Sequence, residues 1–404
     1  MDAYVARQPI FDRDKNIFGY ELLFRNGMAN FVPDVDGDAA TSSLLSSSFF
    51  TMGMDRITGG KKAFINFTQN LLQDKIPTIF PKESIIVEVL EDVSPDEAVI
   101  EACQAMSAEG YVIALDDFMY RPELEPLVAL ADIVKIDLRA VPIDQMADYL
   151  ETIAANGTHY LAEKVETYEE FNRSLELGFE YFQGYFFCKP EIIRGKEISS
   201  SELSIMRLMA EVNKADTDFA SLQTIVEQDI AMSYKLMCYM NSAFFKRANE
   251  ISSVRQALIL MGIQEIRRFV SMIAMARLVT DKPDELIRIS FGRAKFFELL
   301  ARQTNANVPQ AELFTLGLFS MIDAILDQPM EKIMDKMPLS QPLTDALVEE
   351  KGDLAVFLNI AKCYERGNWE ELDQFTGAFG IDAEKLPALY WEACEWGNNM
   401  VDCV

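Results

Sequence analysis

The sequence predicts an α/β barrel followed by an all-helical bundle, and three observations carry that prediction. Over residues 1–195, short β-branched runs alternate with helical patterns, as in successive strand–helix units of a parallel sheet. From about Glu197 onward the β-branched runs give way to apolar residues at i, i+3, i+4, i+7 spacing, the period of amphipathic helices. The chain has 404 residues, more than one hydrophobic core usually organises. Two domains are expected, a barrel over 1–195 and a helical domain over 196–404.

One unit of the first half displays the grammar in full. Ile85–Leu90 has strand composition, and Ser94-Pro95-Asp96-Glu97 reads as a helix start with Ser94 as the cap and proline at the first helical position. Val99, Ala102, Cys103 and Met106 then make one apolar face, Gly110 is placed to end the helix, and Tyr111–Leu115 begins the next strand. Further strand-like runs occupy Ala63–Asn66, Ile133–Asp137, Tyr160–Val165 and Tyr181–Phe187. Several of the strand-like runs end in, or contain, a polar residue: Asn66, Glu88, Asp116, Lys135, Glu163 and Gln183. Active sites of parallel barrels assemble where strand C-termini converge, so residues of this kind are candidates for chemistry.

In the second half, Ile205, Leu208, Met209 and Val212, then Val254, Ala257, Leu258 and Met261, then Ile266, Phe269, Val270 and Ile273 repeat the helical spacing, with Gly262 separating the last two stripes. A bundle follows. Asn241 and Ser242 are read first as helix-capping residues, Trp369, Trp391 and Trp396 as aromatics buried in the bundle, and His159 as a loop residue entering a strand.

Composition narrows the partners. A net charge of −27 repels the phosphate backbone of nucleic acid and an anionic membrane surface. The six cysteines are scattered without a CxxC pair and read as reduced thiols, no run approaches the length of a membrane span, and the N-terminus lacks the apolar core of a signal peptide. A cytoplasmic location is expected, with no nucleic acid partner.

If Glu21, Asn66, Glu88, Asp116, Asp117 and Glu163 gather at one rim, five carboxylates stand together and need a compensating cation. Oxygen-only ligation selects hard ions such as Mg²⁺, Mn²⁺ or Ca²⁺, and the adjacent pair Asp116-Asp117 suits bridging of two ions, which together can clamp the attacking and leaving oxygens of a phosphodiester. Lys135 would then orient water or neutralise developing phosphate charge. Taken singly, any of these acids reads as a helix cap or a solvated loop residue.

The ordered series Gln8-Pro9-Ile10, Gly19-Tyr20-Glu21-Leu22-Leu23-Phe24-Arg25, Ile65-Asn66-Phe67, Val87-Glu88-Val89-Leu90-Glu91, Leu115-Asp116-Asp117-Phe118, Val134-Lys135-Ile136-Asp137, Ala162-Glu163-Lys164-Val165-Glu166 and Gln183-Gly184-Tyr185 resembles the EAL domain of cyclic-di-GMP phosphodiesterases over residues 1–190. The resemblance implies a TIM-like barrel and a two-ion Mg²⁺ or Mn²⁺ site. Glu21, Asn66, Glu88 and Asp116 resemble the ligands of one ion, and Asp116, Asp117 and Glu163 those of the second. Lys135 resembles the lysine at the nucleophilic water. Gln8, Arg25 and Gln183 resemble dinucleotide-holding positions, and Glu166 a carboxylate steadying a neighbouring loop. The implied reaction opens cyclic-di-GMP to pGpG.

Three departures stand out. The family's glycine-rich loop, linked to dimerisation, is replaced by Met119-Tyr120-Arg121-Pro122-Glu123-Leu124; Lys164 stands where the family has glycine; and about 190 residues imply a shortened barrel with one or more helices lost, partly between Glu21 and Asn66. In the second half, Asp229–Phe244 and Ile251–Gly262 resemble the HDOD family, relatives of HD phosphohydrolases without their metal ligands. Gly317–Asp323 resembles that family's GLLHDIG segment with Ser320 and Met321 in place of His and Asp, and the only histidine is His159, in the other half. The expectation is a phosphodiesterase whose HDOD domain is not an enzyme but a regulatory or partner-binding module. A non-catalytic scaffold or receptor, and a hydrolase of another phosphodiester, are the alternatives. The protein partner, the sign of regulation and a homodimer are left open.

Overall fold

The computed structural model describes residues 3–26, 54–153, 157–190, 198–214, 217–240, 251, 253–279, 282–303, 310–337, 339–401 and 403, with backbone alone at 3, 4, 24–26 and 55. The chain divides into Met1–Lys189 with Glu365–Glu370, and Pro190–Tyr364 with Glu371–Val404.

Eight strands close a barrel in chain order: β1 (Ala3–Phe11), β2 (Ile17–Asn26), β3 (Lys62–Phe67), β4 (Ile85–Val89), β5 (Ile113–Leu115), β6 (Ile133–Asp137), β7 (His159–Glu163) and β8 (Tyr181–Gln183). Strands β2 to β8 are parallel, but β1 runs antiparallel to both β2 and β8. This corrects the expectation of strand–helix units throughout, because a hairpin joins β1 to β2. Its turn is made by Asp12, whose Oδ1 accepts the Asp14 and Asn16 amides at 2.9 and 2.8 Å. The expected shortening therefore leaves the sheet complete. Among the described residues, Gln69–Gln73 after β3 and Glu125–Val128 after β5 are barely a turn long, and residues 27–53, where part of the loss was expected, lie outside the described residues.

The unit after β4 forms as its sequence dictates, with one change. The helix Glu97–Glu109 buries Val99, Ala102, Cys103 and Met106, and Gly110 closes it at φ 92°. Each such side chain contributes about 1.5–3 kcal/mol on burial, small Ala102 less. Its cap is Asp96 and not Ser94: the Asp96 carboxylate accepts the Val99 amide at 2.9 Å. Asp96 also accepts from Gln69 Nε2 at 2.7 Å. The strand expected over Tyr181–Phe187 stops at Gln183, and Phe186–Cys188 is a short 3₁₀ turn. The position after Gln183 has to be Gly184, at φ 150°, since a β-carbon there would lie 2.0 Å from the Val165 carbonyl oxygen.

The second unit is helical. Ser199 and Glu202 form a reciprocal capping box at the start of Ser200–Asn213, which buries Met206, Met209 and Val212, with Ile205 and Leu208 half-buried. Gly262, at φ 72°, kinks Val254–Leu278 between its two stripes, and Ile266, Phe269, Val270 and Ile273 are all buried. Glu285–Ala301 is buried along nearly its whole length, packed on Gln310–Phe319 and Leu386–Val401. Of the tryptophans expected to be buried in the bundle, Trp396 is buried and Trp391 half-buried, while Trp369 is half-buried and falls in the first unit's Glu365–Glu370 segment; His159 is the first residue of β7, its Nδ1 2.7 Å from Glu180 Oε1.

Candidate metal centre at the barrel rim

Strand periodicity builds the site. Ile10, Phe64, Ile86, Ala114, Ile133 and Leu161 form one buried layer across the barrel interior. Side chains two positions apart share a face, so the next inward layer toward the parallel strands' C-termini is Asn66, Glu88, Asp116, Lys135 and Glu163. Because β1 runs the other way, its contribution lies two residues before Ile10, at Gln8, paired in register with Glu21. An apolar floor thus carries a polar layer at the rim where such barrels do chemistry.

Lys135 is fully buried at the centre of that layer. Its Nζ lies 2.5 Å from Asp116 Oδ1, 2.7 Å from Glu88 Oε1, 3.1 Å from Glu163 Oε1 and 3.3 Å from Glu21 Oε2. Glu21 accepts further hydrogen bonds from Gln183 Nε2 at 2.6 Å and Asn66 Nδ2 at 3.2 Å, and Gln183 also donates to Gln8 Oε1 at 3.0 Å. Oxygens of Glu21, Glu88 and Asp116 all lie within 4.8 Å of one another, a grouping able to hold a metal ion.

One lysine cannot neutralise four carboxylates. Burial pushes the Glu88 carboxyl well above the usual range against the pull of Lys135, and Glu163 is pushed up to about 8 by burial and by its carboxylate neighbours. Burial raises Asp116 as well. Glu21 alone is held low: burial opposes its charge, but Lys135, Gln183 and Asn66 outweigh it. Lys135 is held charged against its own burial by Glu163, Glu21, Glu88 and Asp116. Glu88 Oε2, Glu163 Oε2 and Asn66 Oδ1 are buried without a hydrogen-bond partner, and a buried oxygen in that state costs about 1–3 kcal/mol. Unsatisfied hard oxygens on a carboxylate-rich rim fit a divalent cation such as Mg²⁺ or Mn²⁺.

Outside this layer the rim opens into a cavity of about 630 Å³ whose lining includes Gln8, Asp117, Glu163, Lys164, Gln183 and Lys189. Asp117 stands at the edge, its carboxylate 3.4 Å from Lys164 Nζ, which also donates to Asp137 Oδ2 at 2.7 Å. Glu166 pairs with Arg139 and, at 3.3 Å, with Lys189 Nζ. Arg25 is on β2, and its side chain lies outside the described residues. Sequence reasoning passed over Asp137 and Arg139, although Asp137 ends a strand just as Glu163 does. The segment after Phe118 does not plug the site. Tyr149 Oη accepts the Tyr120 amide at 2.9 Å and donates to the Phe118 carbonyl at 3.1 Å, Leu124 is buried, and Met119 is half exposed.

In the helical unit, Ser320 accepts a hydrogen bond from Arg293 Nη1 at 3.2 Å and donates to the Gly317 carbonyl at 2.7 Å, while Met321 is buried. An arginine and a hydroxyl thus meet where the HD pair would stand. Asn241 and Ser242 lie outside the described residues. No helix among the described residues is long and apolar enough to cross a membrane.

The family comparisons agree with both halves. An EAL domain model matches residues 56–190 and an HDOD domain model residues 200–338. Cyclic di-GMP phosphodiesterase CdgJ of Vibrio cholerae is 37% identical over 98% of this chain and 93% of its own length. The Bacillus subtilis protein YuxH is 35% identical over the full length of both. Among solved structures, the Bacillus subtilis YkuI protein, with an EAL domain and in complex with substrate c-di-GMP and calcium, aligns with 56% of this chain and 72% of its own at 17% identity and a TM-score of 0.38. With two full-length relatives above 30% identity and both domain models found in order, the chain belongs to the EAL–HDOD family of fused signalling proteins.

Proposed function

We propose that this chain opens cyclic-di-GMP to linear pGpG at the barrel rim in a divalent-metal-dependent reaction, and that its HDOD region is a non-hydrolytic regulatory module that binds a protein partner in the cytoplasm. The observation that carries the reading is the meeting of Glu21, Asn66, Glu88, Asp116 and Glu163 around one buried lysine, with oxygens left unsatisfied. The 37% identity to a phosphodiesterase of this nucleotide over nearly the whole chain supports the substrate class.

Glu21, Asn66, Glu88 and Asp116 would hold one Mg²⁺ or Mn²⁺ ion, and Asp116, Asp117 and Glu163 a second. Bound there, such ions lower the pKa of water and offset charge on a phosphodiester. The chain's own groups do the rest. Gln183 and Asn66 fix the Glu21 carboxylate from two sides, so the ligand arrives oriented. Lys135, held charged at the centre, would donate to the nucleophilic water and balance charge as the phosphorus–oxygen bond breaks. Gln8, Gln183 and Arg25 would hold the dinucleotide, and the Glu166–Arg139–Lys189 ion pairs would keep the cavity edge in place.

The test is release of pGpG by the purified chain with Mn²⁺ or Mg²⁺, with Glu21→Ala abolishing it. Calorimetry with cyclic-di-GMP separates the second reading, a non-catalytic scaffold or receptor, which the glycine-free segment after Phe118 favours. Binding without turnover would establish the receptor, and no binding with or without metal would leave a scaffold.

A further inference from the structure

Two rim residues adopt left-handed backbone without being glycine: Asp117, itself a proposed ligand, at φ 39° and Lys164 at φ 55°. Each directly follows a rim acid, Asp116 and Glu163. A β-carbon makes that conformation costly, and strain of this kind persists where surrounding contacts enforce it. The contact here is shared: Lys164 Nζ stands 3.4 Å from Asp117 Oδ1 and 2.7 Å from Asp137 Oδ2, an ion-paired bridge across the ends of β5, β6 and β7. Asp117 belongs to one proposed ion alone, whereas Asp116 is shared by both.

We infer that Lys164 is a tethered cation that competes with the second divalent ion for Asp117, so that the chain holds one ion tightly and the other weakly. This inference rests on the metal reading above and concerns only the occupancy of its outer position. Lys135 is the inner counterpart, fully buried and shared by four carboxylates. Lys164 differs in being half exposed, with a side chain 46% accessible on a flexible four-carbon stem. It can swing into solvent when a stronger cation arrives, which makes it a competitor and not a permanent plug. Lys164 is thus a positioning residue acting through Asp117, and the outer site is set by the balance between an ammonium and a free ion.

The experiment is Mn²⁺ titration of the full chain by calorimetry, with electron paramagnetic resonance to detect spin-coupled ion pairs. Wild type is expected to bind one Mn²⁺ tightly and a second about tenfold or more weakly. Lys164→Gly, which removes the ammonium and accommodates the left-handed backbone, should tighten the second site about tenfold, leave the first within about twofold, and bring in the coupled signal at lower Mn²⁺. Lys164→Asn, neutral and tolerant of that backbone, should behave likewise, while Lys164→Arg keeps the charge and the weak second site. Two equally tight ions in wild type, or an unchanged ratio of the two affinities in both neutral variants, overturns the inference and spares the metal reading. Absence of Mn²⁺ binding from every protein overturns both.

Discussion

Removing the charge of Lys135 tests whether the polar layer is held together electrostatically before any ion arrives. The side chain is fully buried and has four carboxylates within 3.3 Å of its ammonium, three on different strands and Asp116 just past the end of β5. Lys135→Met conserves length and apolar stem but leaves those acids without their common partner. Losing one member of a buried ion pair costs about 3–5 kcal/mol, because the remaining charge stays desolvated. In a domain of this size 1 kcal/mol moves the midpoint by about 2–4 °C, so a fall of roughly 10 °C is expected in EDTA. The readout is hydrogen exchange in urea on peptides covering β6 and β7, which isolates the barrel from the helical unit. The wild-type Lys135 is held above the ordinary lysine range, so its contribution is fully present below about pH 10 and is lost as pH rises through its folded value. Glu163 ionises near pH 8 with Lys135 beside it and only at higher pH without it, so the variant goes on losing stability where wild type has levelled, and the gap should widen from about pH 8 upward. Excess Mn²⁺ should narrow it, since the ion binds only the folded site and supplies the missing charge. A variant within about 1 kcal/mol of wild type in EDTA would refute the reasoning.

Three further changes probe the two units separately. Gly184→Ala would place a β-carbon 2.0 Å from the Val165 carbonyl oxygen at φ 150°, and should lower barrel stability by about 2–3 kcal/mol, read as a urea midpoint. Gly317→Ala brings a β-carbon 2.4 Å from the Ala294 backbone nitrogen, where Gln310–Phe319 crosses Glu285–Ala301; forced separation of the helices should cost the helical unit about 1–3 kcal/mol, and an unchanged midpoint would contradict that close approach. Asp323 is pushed up to about 6 by burial, with Arg293 and Lys362 offsetting only part of it. Its folded form binds the proton more tightly than the unfolded one, so ionisation costs stability between about pH 4 and 6. Asp323→Asn removes that cost, and its advantage over wild type should grow across this window to at most about 3 kcal/mol and stay level above it, as followed by denaturant midpoints against pH.

How much of this was legible in the sequence depends on what each element asks of its residues. The helix Glu97–Glu109 was read down to its four buried side chains because an amphipathic helix writes its face at 3.6-residue spacing. Its cap was misread because Ser94 and Asp96 are both competent, and Gln69 and Gln73, brought from another helix, hold Asp96. The antiparallel β1 was missed for a related reason: a strand buried on both faces shows the same apolar run in either direction, and the sole cue was the turn chemistry of Asp12–Asn16.

The same two-sided burial explains why the polar layer was visible at all. In β4, every side chain from Ile85 to Val89 is buried, so Glu88 had no solvent-facing role available. A charge inside such a strand needs a partner that the strand itself does not supply, and five strands posing that demand at matching heights point to one shared centre. The rim beyond the sheet lacks this constraint. Lys164, Asp137 and Arg139 sit where solvent satisfies a charge cheaply, so their types carry little information until the fold brings Lys164 Nζ within 3.4 Å of Asp117 and 2.7 Å of Asp137, and Arg139 onto Glu166. Sequence therefore speaks most clearly where burial forbids the bland explanation: the inner polar layer was readable from its residues, whereas Lys164 stood out only as a departure from the family's glycine, with its partners hidden until the chain folds.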